Sequence, residues 1–207
     1  MNYGNLFIII APSGVGKSSL IKALTNLNKD ISVSISYTTR KPRSTEKNGF
    51  DYHFIEIKEF KKMRDNQVFL ESANVHGNLY GTSKNFINHQ LSKGKDIIVE
   101  IDWQGAKQIK LQYPEATSIF ILPPSIEEMK KRLIKRAQDD LITINKRINA
   151  ATTELKYAKT CEYIIVNNDF DKALNDLINI INATKLKFQV QAINNVELFT
   201  RLGVTTE

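Results

Sequence analysis

Leu6-Phe-Ile-Ile-Ile-Ala-Pro-Ser-Gly-Val-Gly-Lys-Ser-Ser-Leu-Ile-Lys-Ala-Leu24 decides how this chain folds. The apolar run 6–10 reads as a strand covered on both faces, and the segment from Ser19 spaces its apolar residues as a helix does. A glycine-containing loop lies between them. Strand, loop and helix in that order form the context a phosphate-binding loop requires. Successive backbone N–H groups and a helix start then point at phosphate oxygens, and Gly14 and Gly16 let the backbone approach with no Cβ in the way. The candidate nucleoside-triphosphate residues are therefore Ala11, Pro12, Ser13, Gly14, Val15, Gly16, Lys17, Ser18 and Ser19. Lys17 is placed to neutralise β/γ oxygens, and the Ser18 hydroxyl to ligate Mg²⁺. Ala11 stands where the pattern G-x-x-x-x-G-K-[ST] has its first Gly; it is small, but it would resist a positive φ. A glycine turn that holds no nucleotide is the competing reading, and the flanking elements count against it.

Outward from this stretch the same alternation continues. Strand-like runs recur at 5–10, 31–36, 52–55, 68–75, 96–101, 117–122 and 163–166. Helix-length segments lie at 17–27, 84–93, 104–113, 125–136, 141–159 and 169–188. Continuously apolar strands separated by helices predict a doubly wound α/β core with a parallel sheet. Ser125, three residues before Glu128, has capping-box spacing. Residues 37–80 break the pattern with short alternating strands, polar turns and one helix-like piece near 58–66, as expected of a small mixed β subdomain inserted into the core. The tail 191–207 has no clear period and is compatible with a short helix or a strand.

A length of 207 residues suits one α/β domain, and 42% hydrophobic with 25% charged residues is ordinary for a globular chain. Apolar runs such as 6–11 and 119–124 are too short to cross a bilayer, and Met1-Asn-Tyr-Gly lacks the start of a signal peptide. The lone Cys161 excludes an intrachain disulfide and fits a reducing cytoplasm. A net charge of +7 suits a nucleic-acid binder or a cleft that gathers phosphates, but no run of five Lys/Arg with interleaved aromatics marks a nucleic-acid surface.

Two clusters speak to what receives the phosphate. Arg40 and Arg43 follow a strand, with Tyr52 on the next; they read either as a second phosphate site or as a solvated basic turn. Glu71 ends an apolar strand and needs a partner, with Tyr80, Gly81 and Thr82 close behind. Arg132 and Arg136, four apart, share a helix face, and Arg147 lies across a polar bend. Asn168 is placed to act as a helix N-cap. His53, His76 and His89 have no metal-ligand spacing, and Trp103 is expected to pack beneath the sheet edge.

Taken in order, Ser13-Gly-Val-Gly-Lys-Ser18, Thr38-Thr-Arg-Lys-Pro-Arg43, Asp51-Tyr-His-Phe54, Phe69-Leu-Glu71, Gly77-Asn-Leu-Tyr-Gly-Thr82, Glu100-Ile-Asp-Trp-Gln-Gly105, Pro123-Pro-Ser125, Lys131-Arg-Leu133 and Asn145-Lys-Arg147 resemble guanylate kinases. The likeness runs from about residue 8 to about 169, so it covers most of the chain. It implies a P-loop three-layer core (1–36, 83–124 and 160–190), a GMP-binding subdomain (37–82) and a helical lid (about 125–159), with the tail unassigned. The implied reaction moves the γ-phosphoryl group of ATP to GMP, with dGMP as a further acceptor. By the resemblance Arg40, Arg43, Tyr52 and Tyr80 hold the GMP phosphate, and Ser36, Glu71, Gly81, Thr82 and Asp102 surround the guanine. Lys17, Arg132, Arg136 and Arg147 stabilise the transferring group, Asn168 meets adenine, and Mg²⁺ is held by Ser18 with Glu100 or Asp102 through water. The chain is then expected in the cytoplasm as a monomer or homodimer acting on small nucleotides, with neither nucleic acid nor membrane as partner.

One carboxylate can accept both the N1–H and the 2-amino group of guanine, whereas adenine offers an acceptor at N1 and leaves the acid unpaired. Two positions depart from the family pattern: Ala137 stands where many relatives have Gly, and Glu100 where Asp is frequent. A non-catalytic guanylate-kinase-like module that binds phosphopeptides is the alternative, against which Gly16-Lys17-Ser18 and the lid arginines speak.

Overall fold

A computed structural model describes residues 3–75, 77–135 and 141–204. The chain runs β1 (Leu6–Ile10), α1 (Lys17–Leu27), β2 (Ile31–Val33), β3 (Tyr37–Thr38), β4 (His53–Phe54), α2 (Ile57–Asp65), β5 (Phe69–Val75), β6 (Asn78–Ser83) and α3 (Lys84–Ser92). It continues as β7 (Asp96–Ile101), α4 (Trp103–Gln112), β8 (Thr117–Leu122), α5 (Ile126–Lys135), α6 (Leu141–Glu154), β9 (Tyr163–Val166), α7 (Phe170–Lys185), α8 (Phe188–Asn194) and α9 (Val196–Arg201). A 3-10 turn, Leu155–Thr160, joins α6 to β9.

The core is a five-stranded parallel sheet in the order β2-β7-β1-β8-β9. β1 is buried along its length because it is the central strand with helices on both sides. Its side chains alternate between two apolar clusters. Phe7 and Ile9 join Leu20 and Leu24 of α1 with Leu177 and Ile181 of α7. Ile8 and Ile10 join Ile87 and Leu91 of α3 with Ile109 of α4 and Phe120 of β8. Each fully buried Ile, Leu or Phe contributes roughly 1.5–3 kcal/mol, so β1 anchors all three layers. This is the doubly wound architecture expected from the alternating runs.

A second sheet, β4-β3-β6-β5, is mixed: β3 and β4 run parallel, and the other pairs antiparallel. In β5 the register shifts between Phe69 and Glu71, which sets Glu71 opposite Thr82. Such an irregularity re-aims a side chain.

Several boundaries differ from the pattern in the sequence. The run 31–36 pairs only as far as Val33. The segment 141–159 gives way to the 3-10 turn after Glu154, and α7 stops at Lys185 before α8 resumes at Phe188. β6 was hidden because Asn78-Leu-Tyr-Gly-Thr-Ser83 carries little apolar alternation; its pairing with β5 and β3 makes it a strand. The tail carries α8 and α9 rather than a strand. Among the described residues no helix is long and apolar enough to cross a membrane.

Candidate active site

The site lies at the carboxyl edge of the parallel sheet, where β1 and β7 end. Gly14 (φ +89°) and Gly16 (φ +96°) are left-handed, and Ala11 is not, so the absent first Gly leaves the loop unstrained. Val15 between them is buried in the core, while α1 starts at Lys17. Two donors pin the Val15 carbonyl oxygen: Asn167 Nδ2 at 2.6 Å and Arg132 Nη1 at 3.2 Å. Arg132 also donates from Nη2 to the Asn167 carbonyl oxygen, 3.2 Å, and from Nε to Glu128, 3.2 Å. Ser125 caps α5, its Oγ accepting from Glu128 N at 3.1 Å, as its spacing implied.

Glu100, near the end of β7, reaches across to the loop. Ser18 Oγ donates to its Oε2 at 3.1 Å, and Lys17 Nζ lies 3.9 Å from the same oxygen. Asp102 does something else: it caps α4 by accepting from Gly105 N at 3.0 Å, and its second oxygen accepts from Gln104 Nε2 at 2.8 Å. Trp103 stacks flat on Tyr157 of the 3-10 turn, with ring centroids 3.9 Å apart at 5°.

Opposite the loop, the segment between β3 and β4 supplies Arg40, Arg43 and Glu46, and β5 supplies Glu71. Arg40 makes a two-pronged contact with Glu46, at 2.9 and 2.8 Å, and donates from Nε to Tyr80 Oη at 3.3 Å. Burial opposes the charge on Arg40, but the bonds to Glu46 and Tyr80 outweigh it and raise its pKa. Burial likewise opposes the Glu46 charge, and Arg40 with the Arg43 N–H holds that carboxyl below its usual range. Arg43 Nη1 lies 3.4 Å from Glu46 Oε1. Tyr52, under the Arg40 guanidinium at 5.5 Å, has its phenol pushed up to about 12 by burial.

Glu71 is only 3% exposed. Its Oε1 accepts from Thr82 Oγ1 at 2.6 Å. Burial, opposed by that bond and reinforced by the nearby Asp102 charge, pushes its carboxyl up to about 7.

One cleft of about 470 Å³ is lined by both halves: Ala11, Pro12, Ser13, Gly14, Gly16, Lys17 and Ser18 on one side, with Ser36, Arg40, Arg43, Tyr52, Glu71 and Tyr80 on the other. Glu100, Asp102 and Arg147 line it as well. Val15, Ser19, Gly81, Thr82, Arg132 and Asn168 are not on its wall. Thr82 is wholly buried and touches the cleft through Glu71, and Asn168 is exposed. The N-cap of α7 is Asp169, which accepts from Lys172 N, so Asn168 does not fill that role. Arg136 and Ala137 lie outside the described residues.

Lys146 and Glu154 of α6 line the cleft; Lys146 lies in the motif Asn145-Lys-Arg147 but had no role assigned, and Glu154 carried no signal beyond its place in the helix. Burial and the Asp102 charge raise the Glu154 carboxyl, opposed by Lys17. Glu46 and the bond of Asn167 to Val15 were also missed. Glu46 had a visible clue, a lone acid three residues beyond Arg43; Asn167 belongs to the segment that resembles the family's adenine-side loop, but nothing in the sequence pointed to its bond with Val15.

The family model "Guanylate kinase" matches residues 3–184. The chain belongs to the guanylate kinase family. Guanylate kinases of Bordetella pertussis and Cupriavidus metallidurans are each 48% identical to it over 201 residues, covering 97% of this chain and 94% and 93% of theirs. The crystal structure of guanylate kinase from Anaplasma phagocytophilum matches with a TM-score of 0.80 at 29% identity, over 100% of this chain and 98% of that one. The guanylate kinase fold thus accounts for both sheets and the cleft between them, while α8 and α9 follow the end of the family match.

Proposed function

We propose that the chain transfers the γ-phosphoryl group of ATP to GMP, giving ADP and GDP. The observation that carries this reading is the shared cleft: a phosphate loop faces a buried acid and two arginines across one cavity. We assign residues 1–36, 83–124 and 160–190 to the core, 37–82 to GMP binding and about 125–159 to the lid. The loop 11–18 cradles the ATP phosphates with its N–H groups, and Lys17 neutralises charge on the γ-phosphoryl as it leaves. Arg40, Arg43, Tyr52 and Tyr80 take the GMP phosphate. Glu71, held by Thr82, accepts N1–H and the 2-amino group of guanine, with Ser36 and Asp102 nearby. Arg147 and Lys146 approach from the lid side, where closure excludes water as a competing acceptor. Arg132 acts on the loop through the Val15 carbonyl, and Asn168 stays a candidate for the adenine edge.

The donor set fits Mg²⁺: Ser18 and Glu100 offer hard oxygens 3.1 Å apart beside the phosphate loop, whereas both Asp102 oxygens accept hydrogen bonds from α4. Ser18 and Glu100 would therefore hold the ion, Glu100 through water. Bound there with ATP, it would draw negative charge from the phosphoryl oxygens. This reading places the protein in the cytoplasm with small nucleotides as its partners, as a monomer or homodimer, and needs neither nucleic acid nor membrane. A non-catalytic phosphopeptide module is not favoured, because the loop is complete where it meets phosphate.

ADP release coupled to NADH oxidation, with GMP, dGMP, AMP and UMP as acceptors, tests the proposal. GMP is expected to be the preferred ribonucleotide. Faster turnover on AMP, or none on GMP, would overturn it.

A further inference from the structure

We propose that Gly105 is a positioning residue for guanine selectivity: the missing Cβ in the first turn of α4 is the seat of the Glu71 carboxylate. A Cβ there would lie 2.5 Å from Glu71 Oε2, 3.0 Å from its Cδ and 3.3 Å from its Cγ. The backbone does not ask for glycine. Gly105 is not in the left-handed region, and within a helix glycine is a poorer choice than alanine. The reason for it therefore lies in what it faces.

Neither partner can shift without breaking its own hydrogen bonds. Glu71 Oε1 is tied to Thr82 Oγ1, and the residue is buried. The helix is bolted to β5 on both sides of Glu71. Gln108 exchanges two bonds with the Ser72 backbone, accepting from N at 3.1 Å and donating to O at 2.9 Å. Gln112 Nε2 donates to the Leu70 carbonyl oxygen at 2.8 Å. At the helix start, Asp102 holds Gly105 N. With strand and helix locked at Leu70 and Ser72, a methyl group at position 105 must move the carboxylate, by about 1 Å to reach ordinary contact. An acid moved that far no longer meets two adjacent donors, since hydrogen bonds weaken steeply with misalignment.

This inference rests on the proposed role of Glu71, and the experiment separates the two. Steady-state KM values for GMP, IMP and ATP are measured for the parent, Gly105→Ala, Glu71→Asp and the double variant. IMP keeps N1–H and lacks the 2-amino group. Gly105→Ala is expected to raise KM for GMP about tenfold or more, to shrink the preference for GMP over IMP, and to leave KM for ATP unchanged. A merely structural role would disturb all three together. In the Glu71→Asp background the acid is one methylene shorter and loses the 2.5 Å contact with the new Cβ, so adding Gly105→Ala is expected to change KM for GMP less than about twofold.

An unaltered GMP-to-IMP preference in a folded Gly105→Ala overturns the inference. So does a tenfold further rise in the double variant. Should Gly105→Ala alone fail to fold, a folded double variant with the kinetics of Glu71→Asp supports the steric seat, and an unfolded double variant refutes it. If Glu71→Asp itself leaves the GMP-to-IMP preference intact, it is the reading of Glu71 that fails.

Discussion

Lowering the pH should weaken GMP binding through Glu71 in a calculable way. On the proposed reading guanine needs the ionised carboxylate, and burial pushes this carboxyl up to about 7. At pH 8 about ten molecules in eleven are ionised, and at pH 6 about one in eleven, so the apparent dissociation constant rises about tenfold between them. The same proton acts on folding with the opposite sense to that of most acids. Between the unfolded value near 4.5 and about 7 the folded chain binds a proton that the unfolded chain does not. Stability therefore falls as pH rises through that window, by about 3 kcal/mol at most. Titration calorimetry with GMP at pH 6, 7 and 8, beside melting curves from pH 5 to 8, measures both effects. Glu71→Gln is the control, because the nucleotide phosphate also titrates near pH 6 and does so identically with either protein. The variant should bind GMP weakly at every pH and show a flatter melting profile. An equal pH response of GMP affinity in parent and Glu71→Gln would refute the reasoning.

Two further outcomes follow from the loop. Lys17→Ala removes the cation beside Glu100 and Ser18 and should lower kcat at least 10²–10³-fold, the typical effect of deleting one transition-state donor; single-turnover rates near those of the parent would contradict this. Asn167→Ala takes a buried donor from the Val15 carbonyl and should cost about 1–3 kcal/mol of stability and raise KM for ATP with that for GMP unchanged; melting curves and paired KM measurements check it.

The core was legible because residues 6–10, 97–99 and 119–122 are apolar without interruption, the pattern expected of a sheet covered on both faces. Gly14, Gly16, Lys17 and Ser18, set between an apolar strand and a helix, point to a phosphate loop by spacing and context together. Glu71 was read as an acid at the end of an apolar strand; β5 runs on to Val75, so the acid sits inside the strand, and its burial beside Thr82 matches the need for a partner. What stayed hidden was the support behind these groups. Asn167 meets Val15 across 152 positions of sequence, and Gln108 meets Ser72 across 36. Such pairs have no local period or spacing. Arg132 illustrates the same gap: its basic character was evident, but its grip on two backbone carbonyls depends on how α5 docks against the end of β9.

Glu46 gives Arg40 and Arg43 a resident counter-anion. On the proposed reading, a GMP phosphate arriving there displaces this tethered rival rather than settling on bare cations, and sulfate or orthophosphate, with no purine to assist the exchange, is expected to compete on poor terms.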